Sequence, residues 1–273
     1  MKGLLLSLLT FGLLFTACEP GKEDPFADPE KRLVTDVTDT DSSALSYDSI
    51  GRLILFEQHE KADNFASFLK PVYENDRLTA VLSGLSKNDI THKFRTFEYN
   101  RAGKVLKVYS YEYGIDKYSR YDSLVYNPSE LISTIYVAAI TDASGKIGLI
   151  QKNVLEWNNF WDIAKKYSIP MRDGRETKDT TITVYTYDKK YNYVARQPIL
   201  FYLQMDEPAD ALSTENVLTA TTTSGSDSEE ISNIFTYDND YYPTTVMTTT
   251  KELHNGVVVS TRQKSHKWTY VRL

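Results

Sequence analysis

One pair of side chains in this chain has the types and spacing of a nucleophile and its base. Ser67 is followed three positions later by Lys70, and on a helix a lysine amine at that distance could take the proton of the serine hydroxyl. Pro71 follows at once, and the Lys-Thr-Gly element that accompanies this spacing in serine hydrolases is absent from the sequence. A serine hydrolase of the cell envelope is therefore one functional prediction, and it is less favoured than a binding or structural role.

No group of residues in the sequence has the spacing of a metal or cofactor site. The four histidines are His59, His92, His254 and His266. None pairs with another in a zinc-binding spacing such as HExxH. The acidic run over residues 36–41 lacks the pattern of a calcium loop, and such residues are typical turn caps. The sequence therefore predicts neither a metal nor another cofactor.

Aromatic residues offer the strongest candidate binding surface. The chain has 20 tyrosines, and aromatic residues are concentrated in two stretches of it. The candidate residues are Tyr109, Tyr111, Tyr113, Trp157 and Trp161, with Tyr118 and Tyr121 near the first three. Flat aromatic rows stack on sugar rings and anchor protein interfaces, which predicts a glycan or another envelope protein as partner. The alternative is that tyrosine is here simply a good strand residue.

The single cysteine lies at the end of an apolar N-terminal run. Lys2 gives a positive start and residues 4–15 are largely apolar, as in a cleaved export signal over residues 1–17. The run is too short to span a bilayer, which needs roughly 20 apolar residues. Phe15-Thr16-Ala17-Cys18 resembles the lipobox of bacterial lipoprotein precursors, except that Phe15 stands where the pattern has Leu, Val or Ile. The resemblance implies acylation of Cys18, and hence a lipid anchor in a membrane.

The segment after Cys18 predicts a tether in an acidic mature protein. Residues 18–43 are polar and rich in Pro, Asp, Thr and Ser, which predicts a flexible tether ahead of a domain over residues 44–273. Removing residues 1–17 leaves 30 basic and 37 acidic residues, a net charge of −7, which argues against nucleic acid as a partner. Lys22-Glu23-Asp24 resembles the charged signal that directs Bacteroidetes lipoproteins to the outer surface, and it implies an outer-membrane location.

The remainder of the chain predicts hairpins that repeat. Tyr, Thr, Val and Ile dominate and favour strands, and windows such as 105–113 alternate with period two. An aromatic residue followed by a turn residue recurs at Tyr47, Tyr73, Tyr99, Tyr126, Trp157, Tyr187 and Tyr237. A spacing near 26 residues fits two strands and two turns, so seven or eight units predict about 14–16 antiparallel strands. The interval of 50 residues after Tyr187 leaves room for one unrecognised copy.

Two copies of this repeat carry a longer motif. Tyr47-Asp48 followed by Gly51-Arg52-Leu53, and Tyr99-Asn100 followed by Gly103-Lys104-Val105, resemble the YD repeats of Rhs-type proteins. With the lipobox, the copies look most like the Bacteroidetes lipoproteins of unknown function that have a porin-like β fold. That resemblance implies a location and an architecture, and no activity.

The sequence therefore predicts an all-β, single-domain protein, either an open hairpin meander or a closed up-and-down barrel. Whether one short helix or a hairpin turn forms near residues 158–167 stays open, because Trp157, Phe160, Trp161 and Ala164 recur at helical spacing. The favoured function is a lipid-anchored envelope protein with a binding or structural role at the surface. An integral outer-membrane barrel is less favoured, because strand faces carry Lys and Glu.

Overall fold

The computed structural model describes residues 31–195, 197–205 and 207–272. The predicted export signal, Cys18 and the start of the predicted tether lie outside the described residues. The strands are β1 (Lys31–Val37), β2 (Asp41–Tyr47), β3 (Leu53–Glu60), β4 (Phe65–Glu74), β5 (Arg77–Gly84), β6 (His92–Tyr99), β7 (Val105–Tyr111), β8 (Tyr118–Tyr126), β9 (Ile132–Ile140), β10 (Ile147–Trp157), β11 (Ile163–Arg172), β12 (Arg175–Glu176), β13 (Thr181–Tyr191), β14 (Glu215–Ser224), β15 (Asp227–Tyr237), β16 (Pro243–His254) and β17 (Val257–Arg272). The helices are α1 (Pro198–Gln204) and α2 (Pro208–Leu212).

Sixteen of these strands form one closed antiparallel barrel. Each pairs with its neighbours along the chain, and β17 returns to pair with β1, which closes the sheet. The two-residue strand β12 only extends the connection between β11 and β13, which pair directly with each other. The predictions of an all-β fold, a closed barrel and 14–16 strands are confirmed.

The predicted Tyr-Asp and Tyr-Asn turns all lie at one end of the barrel, here called the repeat end. In an up-and-down barrel alternate connections share an end, and these turns join β2 to β3, β6 to β7, β8 to β9 and so on. The carboxylate oxygen of Asp48 accepts the backbone N–H of Arg52 at 2.9 Å, and the amide oxygen of Asn100 accepts that of Lys104 at 3.0 Å. These side chains cap their own turns, as the sequence predicts. The opposite rim, formed by hairpin connections such as Asn255-Gly256, is the tip end.

A ladder of aromatic hydrogen bonds ties the hairpins together at the repeat end. In seven of the eight hairpins, an aromatic side chain near the end of the second strand donates to a backbone carbonyl near the start of the first, over 2.6–3.1 Å. The donor and acceptor pairs are Tyr47–Leu33, Tyr73–Leu53, Tyr99–Leu78, Tyr126–Val105, Trp157–Ile132, Tyr187–Ile163 and Tyr270–Pro243. In the remaining hairpin Tyr237 donates instead to the Asp188 carboxylate.

The basic residue of the motif covers the aromatic ring of the same hairpin. The Arg52 guanidinium lies 5.1 Å from the centre of the Tyr73 ring, and the Lys104 amine lies 5.2 Å from that of Tyr126. Gly51, just before Arg52, has a φ of 79°, a left-handed conformation that glycine adopts at low cost. The Gly-Arg pair of the motif therefore turns the chain and places a cation on an aromatic face.

The structure decides one local question that the sequence leaves open and moves one predicted boundary. Residues 158–167 form no helix, because Asn158 caps a turn by accepting the N–H of Asp162 at 3.0 Å and Trp161 has a φ of 65°. Strand β11 then begins at Ile163, so the helical spacing of the aromatics is a coincidence of the turn. The tether ends before residue 43, since β1 and β2 pair with each other and with β17 and β3. Hydrogen bonding to the neighbouring strands therefore orders β1 and β2, although many of their residues are polar.

The connection between β13 and β14 spans residues 192–214 and is here called the plug, because its described residues fold back into the barrel. It enters and leaves at the repeat end, where the Asn192 N–H donates to the Thr214 carbonyl at 2.9 Å. Its helices α1 and α2 each begin with a proline, at Pro198 and Pro208. Neither of them, nor any other described segment, is an apolar helix long enough to cross a bilayer.

The plug supplies the centre of the hydrophobic core. Phe201 and Met205 pack with wall residues of β7 to β14, among them Val108 and Leu124. Leu203 packs with residues of β1 to β5, including Val81. A 16-stranded barrel is too wide for its own side chains to fill. The plug therefore provides the apolar surface against which the wall is buried.

Candidate ligand cavity in the lumen

The structure separates the two residues of the predicted serine-hydrolase pair. Ser67 and Lys70 lie three positions apart on β4, and successive side chains of a strand point to opposite faces. Ser67 borders a pocket inside the barrel together with Phe56 and the plug residue Leu203, whereas Lys70 is exposed. The amine and the hydroxyl therefore lie on opposite sides of the wall, and this geometry does not support a nucleophile and its base.

Four of the predicted aromatics form a cluster, here called the tyrosine cluster: Tyr109, Tyr111, Tyr118 and Tyr121. The Tyr109 ring lies 4.9 Å from that of Tyr118 and 6.0 Å from that of Tyr121. Val108, the strand neighbour of Tyr109, is buried in the core, so Tyr109 faces outward. Partial burial, together with the hydrogen bond that Tyr109 donates to Glu98 at 2.8 Å, raises the pKa of Tyr109 to about 12.

The other three predicted aromatics lie elsewhere. Tyr113 is exposed and its ring packs on that of His92 with 4.3 Å between centres. Trp157 belongs to the ladder, since its indole N–H donates to the Ile132 carbonyl. Trp161 is exposed in the turn that joins β10 to β11, at the repeat end. The two tryptophans thus form no joint surface with the tyrosine cluster.

A cavity of about 310 Å³ separates the plug from the wall formed by β14 to β17 and β1. Its aromatic side is built by Tyr193, Phe235 and Trp268. The Phe235 and Trp268 rings are stacked, 6.3 Å apart and inclined by 28°, and Tyr193 meets Trp268 edge-on at 5.4 Å. The Trp268 indole N–H is inaccessible and has no hydrogen-bond acceptor among the described residues.

Three carboxylates line the same cavity: Asp36 on β1, and Glu207 and Asp210 on the plug. Asp36 lies 3.0 Å from Nδ1 of His266, and Glu207 lies 2.8 Å from the Lys166 amine. The Asp210 carboxylate makes no hydrogen bond or ion pair with any residue of the described ranges. Two of the three acids therefore have a basic neighbour within contact distance, and the third has none.

The environment of Asp210 differs from that of a surface carboxylate. Asp210 is exposed although it belongs to the plug, and it lines the cavity, so part of its accessible surface faces that cavity. Enclosure by protein raises the pKa of Asp210 to about 6, the negative charge of Glu207 adds to this rise, and Lys166 opposes it. Asp210 is thus a partly desolvated acid that borders open space.

Amide and hydroxyl groups complete the lining and are held in fixed positions. The Asn233 amide donates to the Val217 carbonyl at 2.9 Å and its oxygen accepts from the Thr248 hydroxyl at 2.7 Å. The Asn192 amide donates to the carbonyls of Asp210 and Ser213 at 2.6 and 2.9 Å. A preformed lining of this kind, in which aromatic residues stand beside fixed polar groups, is typical of small-molecule sites.

The sequence reasoning missed this cavity because it missed the plug. The interval of 50 residues between Tyr187 and Tyr237 was the available signal. It contains one ordinary hairpin, β14 and β15, and the 23 residues of the plug instead of a further repeat. The eighth aromatic of the ladder is Tyr270, near the end of β17.

The comparisons with known proteins bear on the fold. No protein-family model matches the chain, and no curated protein matches it significantly. A porin-like protein from Bacteroides vulgatus ATCC 8482 is similar in structure, with a TM-score of 0.50 and 15% identity over 88% of this chain and 98% of the other. A porin-like protein from Bacteroides uniformis ATCC 8492 aligns over 89% of this chain and 96% of its own, with a TM-score of 0.46 and 13% identity. The chain thus has the barrel fold of the Bacteroides vulgatus protein.

Proposed function

We propose that this chain is an outer-membrane lipoprotein that binds a small polar ligand in the lumen of its barrel. The observation that carries the proposal is the plug, which occupies the interior yet leaves an aromatic and polar cavity beside it. An open barrel of 16 strands would enclose an aqueous channel. A plugged one with a preformed cavity is better suited to hold a ligand than to conduct one.

The outer wall supports a tethered protein rather than an embedded one. Membrane-spanning barrels present an apolar band about 25 Å tall to the lipid. Here Glu98 and Lys107, opposite each other on β6 and β7, form an outward ion pair at 3.8 Å. Glu156 faces Lys165 across β10 and β11 in the same way. These charged pairs near the repeat end, together with the exposed Lys70 midway along β4, favour contact of the outer wall with water, so we assign the membrane attachment to an acylated Cys18.

A Cys18→Ser precursor tests the location. We expect it to lose palmitate labelling and to move from the membrane fraction to the soluble fraction without detergent, because the barrel itself does not enter the bilayer. A precursor that keeps its label, or that stays in the membrane under carbonate wash, would contradict the lipid anchor or the tethered arrangement respectively.

A second candidate site is the tyrosine cluster, because four adjacent tyrosine rings favour contact with a glycan or a protein. Two variants discriminate between the sites. Ala211→Phe places a ring in the lining of the lumen cavity, and Tyr118→Ala opens the tyrosine cluster. In calorimetric titrations with a panel of mono- and disaccharides, we expect Ala211→Phe to abolish binding and Tyr118→Ala to leave it unchanged. The reverse result would move the binding function to the tyrosine cluster.

A further inference from the structure

The distribution of charge in the lumen cavity says what kind of ligand it suits. Of its three carboxylates, Asp36 contacts the ring Nδ1 of His266 and Glu207 forms an ion pair with Lys166. Asp210 faces the cavity with no counterion among the described residues. A carboxylate that lines a cavity is less well solvated than one on the outer surface, so a positive charge beside it is favourable. A cation from outside the described residues would therefore complete the surroundings of Asp210.

The shape of the lining favours an organic cation over a metal ion. Within the part of the chain that the structure describes, no three acidic or imidazole groups converge as metal ligands. Asp210 borders the cavity from the plug, and the stacked rings of Phe235 and Trp268 border it from the barrel wall. Aromatic faces attract both the apolar body and the positive charge of an ammonium compound. A molecule that carries an amine on a compact ring would satisfy both sides at once.

We propose that the lumen cavity binds a protonated amine borne on a small ring, such as an amino sugar, with its ammonium group held by Asp210 and its ring against Trp268 and Phe235. This inference rests on the proposed binding role of the cavity and adds the charge and the shape of the ligand. The fixed amide of Asn233 and the Thr248 hydroxyl offer hydrogen bonds to ring hydroxyls on the same side. The cavity volume of about 310 Å³ accommodates a single such ring.

Matched pairs of probes test the proposal on the full-length protein in detergent. Glucosamine is compared with glucose, and cyclohexylamine with cyclohexanol, so that each pair differs in the charged group and keeps the ring. Binding is measured by isothermal titration calorimetry and by ligand-observed NMR. We expect each amine to bind at least about tenfold more tightly than its neutral partner, the size of one charge-assisted hydrogen bond.

Asp210→Asn is the decisive variant, because it keeps the shape of the side chain and removes its charge. We expect the amines to bind it at least about tenfold more weakly than the unaltered protein. The exposed Asp63→Asn is the matched control for the loss of one negative charge and should leave binding unchanged. Near-ultraviolet circular dichroism of both variants confirms that the barrel is folded.

The outcomes separate this inference from the proposed function. If glucose and cyclohexanol bind as tightly as the amines, or if Asp210→Asn binds the amines unchanged, the amine specificity is overturned and the cavity remains a binding site. If none of the four probes binds at millimolar concentration, the binding role of the cavity and the inference built on it both fail.

Discussion

The hydroxyls of Tyr187 and Ser213 lie 2.9 Å apart and join the plug to the barrel wall. Tyr187 donates to the carbonyl of Ile163 at 2.6 Å, and Ser213 accepts the N–H of the same residue at 3.0 Å. With Ser213 donating to the Tyr187 oxygen, three hydrogen bonds form a closed ring around the first residue of β11. Ser213 and Ile163 are both fully buried. The last turn of the plug is thus fixed by the same aromatic ladder that organises the hairpins.

Ser213→Ala tests this ring. The substitution leaves the buried Ile163 N–H without an acceptor, so we expect the free energy of unfolding to fall by about 1–3 kcal/mol. Urea denaturation followed by circular dichroism measures the loss. Ser49→Ala, at an exposed turn position, is the control and should change stability by less than about 0.5 kcal/mol. Equal effects of the two substitutions would show that the ring contributes nothing.

Tyr99→Phe tests the ladder away from the plug. The hydroxyl of Tyr99 donates to the Leu78 carbonyl at 2.6 Å, and its removal leaves the ring and its contact with Arg77 in place. We expect a loss of about 0.5–1.5 kcal/mol in the free energy of unfolding. Tyr113→Phe, whose ring is exposed, serves as the comparison. The ladder has no stabilising role if the two variants unfold at the same urea concentration.

Several turns at the repeat end contain a single residue with a positive φ, and this residue gives a third prediction. Gly103 and Glu130 occupy this position in successive turns, with φ values of 81° and 66°. A side chain at such a φ costs about 1–2 kcal/mol relative to glycine. We therefore expect Glu130→Gly to be more stable than Glu130→Ala by about 1 kcal/mol and Gly103→Ala to be less stable than the unaltered protein by a similar amount.

Glu130→Ala serves as the reference in that comparison because both substitutions at residue 130 remove the exposed ion pair with Lys104. Their difference then reports the backbone alone. Thermal unfolding at matched pH measures all three variants. If Glu130→Ala and Glu130→Gly melt at the same temperature, the left-handed conformation carries no cost in this turn.

The repeat and the barrel were predictable because both follow from local chemistry. A turn residue after an aromatic, such as Asp48 after Tyr47, determines where each hairpin ends, and the number of copies determines the number of strands. The start of the domain was misplaced because charged and polar residues surround the few apolar residues of β1, and because β1 is held by pairing with β17, more than 200 residues away. That pairing is a property of closure, which no local window contains.

The lumen cavity could not be predicted for a related reason. Tyr193, Asp210 and Trp268 come from the plug and from the last strand, and only the folding of residues 192–214 into the barrel brings them together. Helices α1 and α2 begin at Pro198 and Pro208, and the sequence analysis identified neither helix. Nothing in the spacing of those residues indicates that the helices turn inward.

Asp210 also gives a prediction of pH dependence. Its pKa of about 6 in the folded protein lies above the ordinary value of 3.8, so between these values the folded state binds more protons at this site than the unfolded state. The contribution of Asp210 to stability is therefore fully present below about pH 4 and is lost as the pH rises through 6. Asn at this position is neutral at every pH. We expect Asp210→Asn to raise the melting temperature at pH 7.5 and to raise it less, or lower it, at pH 4.5.

Differential scanning fluorimetry of Asp210→Asn at the two pH values measures this difference, and Asp63→Asn corrects for the loss of one negative charge from an acidic protein. A shift of the same size at both pH values would mean that the Asp210 carboxylate is solvated in the cavity as it is in the unfolded chain. The expected result makes Asp210 a residue that costs stability at neutral pH, which is the usual mark of a group retained for binding. An amine that occupies the cavity should remove that cost, so a saturating amine is expected to raise the melting temperature of the unaltered protein more than that of Asp210→Asn.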